Sequence, residues 1–336
     1  MIAFDPSARR RCPPVRVLLL SAAAALSLSI LLPAPAARAQ AVDLGTGQTP
    51  GQAVQQQTVS SPQPRPAWMD ETGVGAYFRN WFRRVALAQS QQPNWIAGLV
   101  TPPPILIEQL RYDQYIEHLQ NDASVRNFGV SKGVQLIVSG TQELDIVLPA
   151  YMERDNRTPA TGFADWQAFL FKQRLLSANE KNGNYILNAN FALTAPTGSS
   201  KFTNHVYFAA PAIGFGKGWG HFDIQGNLSA SLPTSRVHLY GDSLNGNLMF
   251  QYQFEKKIWP EVEFNWTKWL DGTQRGGKDQ LFMTVGAIVG KFQIHNRLNV
   301  ALGLGYQFPL APSYRTAPAI LPTYQRNWIA SLRMPF

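Results

Sequence analysis

The sequence predicts an all-β chain, a transmembrane antiparallel up-and-down barrel of about twelve strands behind a disordered leader and a short amphipathic helix. Three observations predict it: an export-type N-terminus, long segments that alternate apolar and polar residues, and an aromatic residue closing the last of them.

The N-terminus comes first. Arg9, Arg10, Arg11 and Arg16 form a basic stretch, Val17 to Leu32 an apolar run, and Ala37-Arg38-Ala39 and Ala39-Gln40-Ala41 two overlapping small-residue cleavage patterns. That layout is a secretory signal peptide, residues 1–39, with the mature chain expected to begin at Gln40 or Val42. Removing its five Arg and one Asp leaves 25 basic and 20 acidic side chains, a net charge of +5 in place of +9. No clustered basic face remains to suggest a nucleic-acid partner. The single cysteine, Cys12, leaves with the signal, so neither disulfides nor cysteine-held metals are expected.

Residues 40–66 are Gln, Ser, Thr, Gly and Pro with little to bury, and read as a disordered leader. Residues 67–104 read as a periplasmic helix-containing segment. Within it Tyr77, Phe78, Trp81, Phe82 and Val85 recur at helical spacing with Arg79, Arg83 and Arg84 between them. That helix has three open placements: on the membrane-water boundary, capping the barrel, or packed like any other helix. Pro102-Pro103-Pro104 ends helical structure.

From Ile105 to Phe336 the period is two. In segment 297–308, Leu298, Val300, Leu302, Leu304, Tyr306 and Phe308 share one face, and Asn299, Gly303, Gly305 and Gln307 the other. A slip of one residue would exchange the faces, so the register is well specified. Segments 185–195, 221–232 and 243–254 behave alike. Each runs to about ten residues, the length a tilted strand needs to cross hydrocarbon. Aromatics gather at their ends, and Asn, Gln, Ser and Gly on the polar face suit a wet lumen. No apolar run after Leu32 is long enough for a membrane helix, and a closed barrel is the other structure that satisfies its backbone in lipid. The twelve expected segments are 105–119, 132–140, 143–153, 162–175, 185–195, 204–216, 221–232, 243–254, 260–270, 279–290, 297–308 and 324–336.

The last segment ends on Phe336, preceded at every second position by Met334, Leu332, Ala330 and Trp328. This resembles the C-terminal signal read by the outer-membrane barrel assembly machinery. The implied partners are that machinery, outer-membrane lipid and lipopolysaccharide, and a small-molecule solute; the implied location is the outer membrane of a Gram-negative bacterium.

Two further blocks carry a family resemblance. Residues 141–176 hold Glu143, Leu144, Leu148, Pro149 and Tyr151, then Gly162 and Asp165; residues 190–199 end on Pro196, Thr197, Gly198 and Ser199. These resemble the outer-membrane transporter family named after the meta-cleavage pathway of phenol degradation, with Ala150 inserted before Tyr151 and Phe163-Ala164 replacing a short glycine turn. The resemblance implies a porin-like channel or transporter for small molecules, aromatic or hydrophobic ones among them. The alternative is a closed structural barrel that engages a periplasmic partner.

No catalytic constellation, cofactor motif or metal spacing emerges: His118, His205, His221, His238 and His295 stand apart from one another and from any hydrolase pattern. The candidate pore-lining residues are Glu143, Asp145, Asp165, Asp223, Glu261, Glu263, Arg297 and Arg333, with Lys172 beside them. Such charges either tune selectivity or pair with one another and plug the barrel. Loop 309–323, rich in proline, is expected to fold over the barrel mouth or to be surface.

Overall fold

The computed structural model describes residues 66–119, 123–130, 132–273, 275–311 and 324–336. The signal peptide, all but the last residue of the leader, and most of loop 309–323 lie outside these residues. The chain divides between Tyr77 and Phe78 into two compact units. Of the first, the described part holds a 3-10 turn at Ala67–Met69, whose carbonyl at Ala67 accepts the Asp70 N–H at 3.1 Å. Helix α1 (Val74–Arg79) begins there.

Alternation is what builds the second unit. Fifteen strand runs form one antiparallel sheet, and the first pairs with the last from Gln109↔Pro335 to Leu119↔Tyr324, so the sheet closes. The runs are β1 (Gln109–Leu119), β2 (Ser124–Gly129), β3 (Gly133–Ile137), β4 (Gln142–Val147), β5 (Tyr151–Asp155), β6 (Ala160–Phe163), β7 (Trp166–Ala178) and β8 (Tyr185–Ala195). Then come β9 (Phe208–Trp219), β10 (Phe222–Pro233), β11 (Ser243–Tyr252), β12 (Ile258–Trp269), β13 (Asp279–His295), β14 (Leu298–Ala311) and β15 (Tyr324–Pro335). Three passes across the barrel are each broken into two runs, β2 with β3, β4 with β5 and β6 with β7, which leaves a twelve-stranded barrel.

The breaks have local causes. Gly129 and Val130 take φ of 86° and 47° between β2 and β3, and such left-handed residues interrupt pleating. Pro149 falls between β4 and β5, where it cannot donate to a ladder. The connections come out shorter than the alternation implied, because β2 begins at Ser124 and β5 runs to Asp155. Between β10 and β11 a helical turn, Val237–Tyr240, occupies a stretch read as plain loop.

The predicted faces agree with the observed ones. Leu302 and Leu304 point outward, 55% and 62% exposed, while Gly303, Gly305 and Gln307 face inward. On β15 the outward residues are Trp328, Ala330, Leu332 and Met334, and the inward ones Asn327, Ile329, Ser331 and Arg333. Exposed aromatics mark strand ends, among them Tyr185, Trp219 and Tyr252, with Lys217 lying over Tyr185 and Trp219 at 6.0 and 5.9 Å. No helix of the described residues is long and apolar enough to cross a membrane.

One helix was expected around Tyr77–Val85; the chain turns at Asn80 and makes two. Helix α2 (Trp81–Ser90) buries Val85 and Ala88 against Leu106 and Ile137, and leaves Phe82 exposed. The Trp81 indole N–H donates to Glu108 at 2.6 Å. The larger departure follows. Residues 105–108, expected to open the first strand, precede β1 and lie with residues 92–104 inside the barrel.

Candidate functional site

Seventeen residues, Gln91 to Ile107, carry no charge, and four of them are proline. They form no helix or strand, so each backbone N–H and C=O needs a partner from elsewhere. The barrel's inward side chains supply those partners. The stretch enters at the end where β1 begins and β15 finishes, rises to Pro102-Pro103, and returns to β1 as a hairpin.

On the rising limb, Gln225 Nε2 donates to the Ile96 carbonyl at 3.1 Å. Arg333 donates to the carbonyls of Ala97 and, at 2.8 Å, Gly98. Arg111 Nη2 reaches the Leu99 carbonyl at 2.7 Å, with its charge balanced by Asp113, 2.7 Å away. Two carboxylates on β12 take the amides: Glu261 accepts the Leu99 N–H at 2.8 Å, and Glu263 those of Val100, at 2.9 Å, and Thr101. On the returning limb, Asn188 donates to the Pro104 carbonyl, Lys172 to that of Ile105 at 2.9 Å, and Glu143 accepts the Ile107 N–H. Lys172 and Glu143 form an ion pair of 2.7 Å. Charged hydrogen bonds of this kind are the strong class.

Packing completes the seat. A Cβ on Gly303 or Gly305 would stand 2.7 or 2.5 Å from Leu99, and one on Gly216 2.5 Å from Trp95. The inward glycines that suggested a wet lumen are therefore sockets for two hairpin side chains. Ile96 and Leu99 join Trp259, Ile288, Ala301 and Ile329 in a buried apolar cluster. Both limbs are tied together by Gln92, which donates to the Leu106 carbonyl at 2.7 Å and accepts its N–H at 3.0 Å. Below them Arg174 holds the end of α2 through the Ala88 carbonyl at 2.6 Å. At the strand's doorstep Glu108 accepts from Trp81 and, at 2.6 Å, from the Ile137 N–H. Burial pushes its carboxyl above the usual range, opposed by those two donors and by the charge of Arg84.

The sequence-derived candidates separate accordingly. Glu143, Glu261, Glu263 and Arg333 hold the hairpin directly. Asp223 acts one step back, accepting from Gln225 at 2.9 Å. Asp145 accepts from Gln135 at 3.1 Å, and its other oxygen has no partner among the described residues. Asp165 instead fastens residues 198–204, accepting the Gly198 and Asn204 N–H groups at 3.1 and 2.8 Å. Arg297, placed in the lumen by alternation, sits exposed in the β13–β14 turn, 4.7 Å above Phe82. A turn residue is outside the two-residue period. The candidates also left out Asn188 and Gln225, which alternation itself turns to the polar face, and Arg111 and Asp113 of β1. The signal for the hairpin was the uncharged run itself, too short to span and too apolar for a solvated linker.

Three of the chambers left in the lumen are lined by described residues. One of about 370 Å³ opens at the end where the hairpin enters, lined by both limbs and by β13–β15. Beyond the hairpin's tip are two more, of about 200 and about 150 Å³, which share Pro102, Pro103, Gln135, Asp145, Gln167 and Leu170. Among the described residues no group of three His, Cys, Asp or Glu is placed to hold a metal.

No protein-family model matches the sequence, and no curated protein matches it. Among solved structures the chain is similar to an outer-membrane channel from Pseudomonas putida F1, at 12% identity and a TM-score of 0.43, covering 72% of this chain and 98% of that one. It is also similar to Salmonella typhi OmpF in complex with daunomycin (9%, TM-score 0.34, 68% and 96%). A third is the translocator domain of the autotransporter NalP from Neisseria meningitidis (12%, TM-score 0.36, 68% and 86%). The barrel described above rests on its own strand pairing, and the resemblance of residues 141–176 and 190–199 on its motifs alone.

Proposed function

We propose that this chain is an outer-membrane channel of a Gram-negative bacterium, closed by its own hairpin and opened when the hairpin leaves its seat. One observation carries the reading: the inward charges of a closed barrel bind the main chain of a threaded loop, where a purely structural barrel would fill its lumen with its own side chains. The outward apolar face and its aromatic ends suit outer-membrane lipid and lipopolysaccharide. The chamber beyond the hairpin mixes Pro102, Pro103, Leu170 and Ala212 with Asp145 and Asn190, which suits small solutes with an apolar body, aromatic ones included. The second reading, a closed barrel engaging a periplasmic partner, is favoured by the completeness with which the hairpin is bonded. Planar-bilayer recording separates them. The mature chain should open rarely, and a chain with residues 95–104 replaced by a Gly/Ser linker of equal length should conduct steadily. Silence from both, in heat-modifiable folded protein, would leave the structural barrel.

Assembly gives a second expected result. The outward row of Trp328, Leu332 and Met334 continues to Phe336, whose N–H donates to the Glu108 carbonyl at 3.3 Å. Deleting Phe336, or Phe336→Asp, should lower the folded, heat-modifiable fraction in outer membranes several-fold through poorer handling by the assembly machinery. Wild-type levels of folded protein would remove Phe336 from the assembly signal.

A further inference from the structure

The larger chamber beyond the hairpin's tip exists because small side chains meet there. Ala192 of β8 faces Ala210 of β9, Asn190 faces Ala212, and Ala212 in turn faces Ser229 of β10. With the Pro102-Pro103 tip opposite, these residues leave about 200 Å³. An apolar cavity of roughly 150 Å³ holds benzene, so one six-membered ring with a small substituent fits this space. The charges on its walls answer one another. Lys172 pairs with Glu143 at 2.7 Å and donates to the Ile105 carbonyl. Asp145 accepts from Gln135 at 3.1 Å, and its charge is balanced by Lys172 and by Lys132 of the adjoining chamber.

Four further polar side chains line the chamber without such commitments. Gln167, Asn190, Asn227 and Ser229 make no side-chain hydrogen bond among the described residues. Three are amides and one a hydroxyl, so each is neutral and can both donate and accept. A hydrocarbon placed among them would leave those groups unmatched, and an ion would lose its water with no opposite charge free to meet it. A hydroxyl group is itself donor and acceptor. The notch for it lies over Ala212, whose methyl group separates Asn190 from Ser229 in one row across three strands. We propose that this chamber selects an uncharged alcohol of about one ring's size, its hydroxyl bonded to Asn190 and Ser229 and its body lying between the alanines and Pro102-Pro103. The proposal rests on the reading of this chamber as the place of a solute, and it is tested by binding, apart from conduction. A barrel that binds the alcohol yet stays silent in bilayers keeps the site and loses the gating; one that conducts without this preference loses the site alone.

The test uses the mature chain in lipid nanodiscs and isothermal titration calorimetry, with empty nanodiscs subtracted. The probes are cyclohexanol, methoxycyclohexane, cyclohexylammonium and cyclohexanecarboxylate, which share a ring and differ in the group it carries. Cyclohexanol should bind roughly tenfold tighter than the other three, the worth of about one hydrogen bond. Asn190→Leu with Ser229→Ala should bring cyclohexanol to the affinity of methoxycyclohexane, while Ser229→Thr alone should keep the preference. Ala212→Leu, which fills the notch, should abolish binding of the alcohol in equally folded protein. No saturable binding of cyclohexanol, or equal binding of alcohol and ether to the wild-type chain, would overturn the proposal. So would a preference for the ammonium, or one for the alcohol that survives Asn190→Leu with Ser229→Ala.

Discussion

Glu263→Ala should raise the open fraction of the barrel in planar bilayers by roughly two orders of magnitude. Glu263 accepts the amides of Val100 and Thr101 at the hairpin's tip, and it is fully buried. Hydrogen bonds to a charged group contribute about 1.5–3 kcal/mol each, and about 1.4 kcal/mol is tenfold in an equilibrium. Two such bonds would exceed the stated shift, but water entering the vacated space replaces part of what is lost. Arg333 and Arg111 keep their bonds to the carbonyls of Ala97, Gly98 and Leu99, so the seat is weakened and not erased. Glu263→Gln, which retains one acceptor, should fall between wild type and Glu263→Ala. An unchanged open fraction in a correctly folded Glu263→Ala barrel would mean that the hairpin does not control conduction.

Leu302→Arg should destabilise the barrel by about 2–4 kcal/mol in lipid vesicles, the cost of a basic side chain facing mid-bilayer. Leu302 lies mid-strand on the outward face, between Val289 of β13 and Leu332 of β15, and is 55% exposed. The proper control is Ser229→Arg, in the wall of the chamber beyond the hairpin's tip, where a long side chain has room and polar neighbours. Gln307, the inward residue that alternation offers for comparison, is unsuitable. It is buried, donates to Asn265 at 3.0 Å and accepts from Tyr324 at 2.5 Å, so Gln307→Arg would break a network as well as add a charge. Denaturant unfolding reads both variants. Equal losses from Leu302→Arg and Ser229→Arg would show that the outward face does not meet lipid.

How far the sequence reaches depends on the range of the interaction. Side-chain direction along a strand is a matter of two residues, so Leu302, Leu304, Trp328 and Leu332 could be assigned outward and Glu261, Glu263 and Arg333 inward without any structure. Antiparallel neighbours joined by short turns follow from the same local pattern, which is why the pass count was legible while the breaks near Gly129 and Pro149 were not placed. Arg297 lies in a turn at the chamber where the hairpin enters, a place the strand period does not describe, since it says nothing about a turn.

What the inward side chains do was decided elsewhere in the chain. Arg333 meets carbonyls 235 and 236 residues before it, and Glu263 meets amides 162 and 163 residues before it. An irregular hairpin has no period to reveal its partners, and a glycine such as Gly303 looks the same from sequence whether it faces water or seats Leu99. By itself the sequence determined a closed barrel and its two faces, because backbone pairing and side-chain alternation are local and repeat along every strand. Only the tertiary structure decided that the lumen is occupied and by what, because a segment without secondary structure must satisfy its backbone through contacts that closure of the barrel alone brings together.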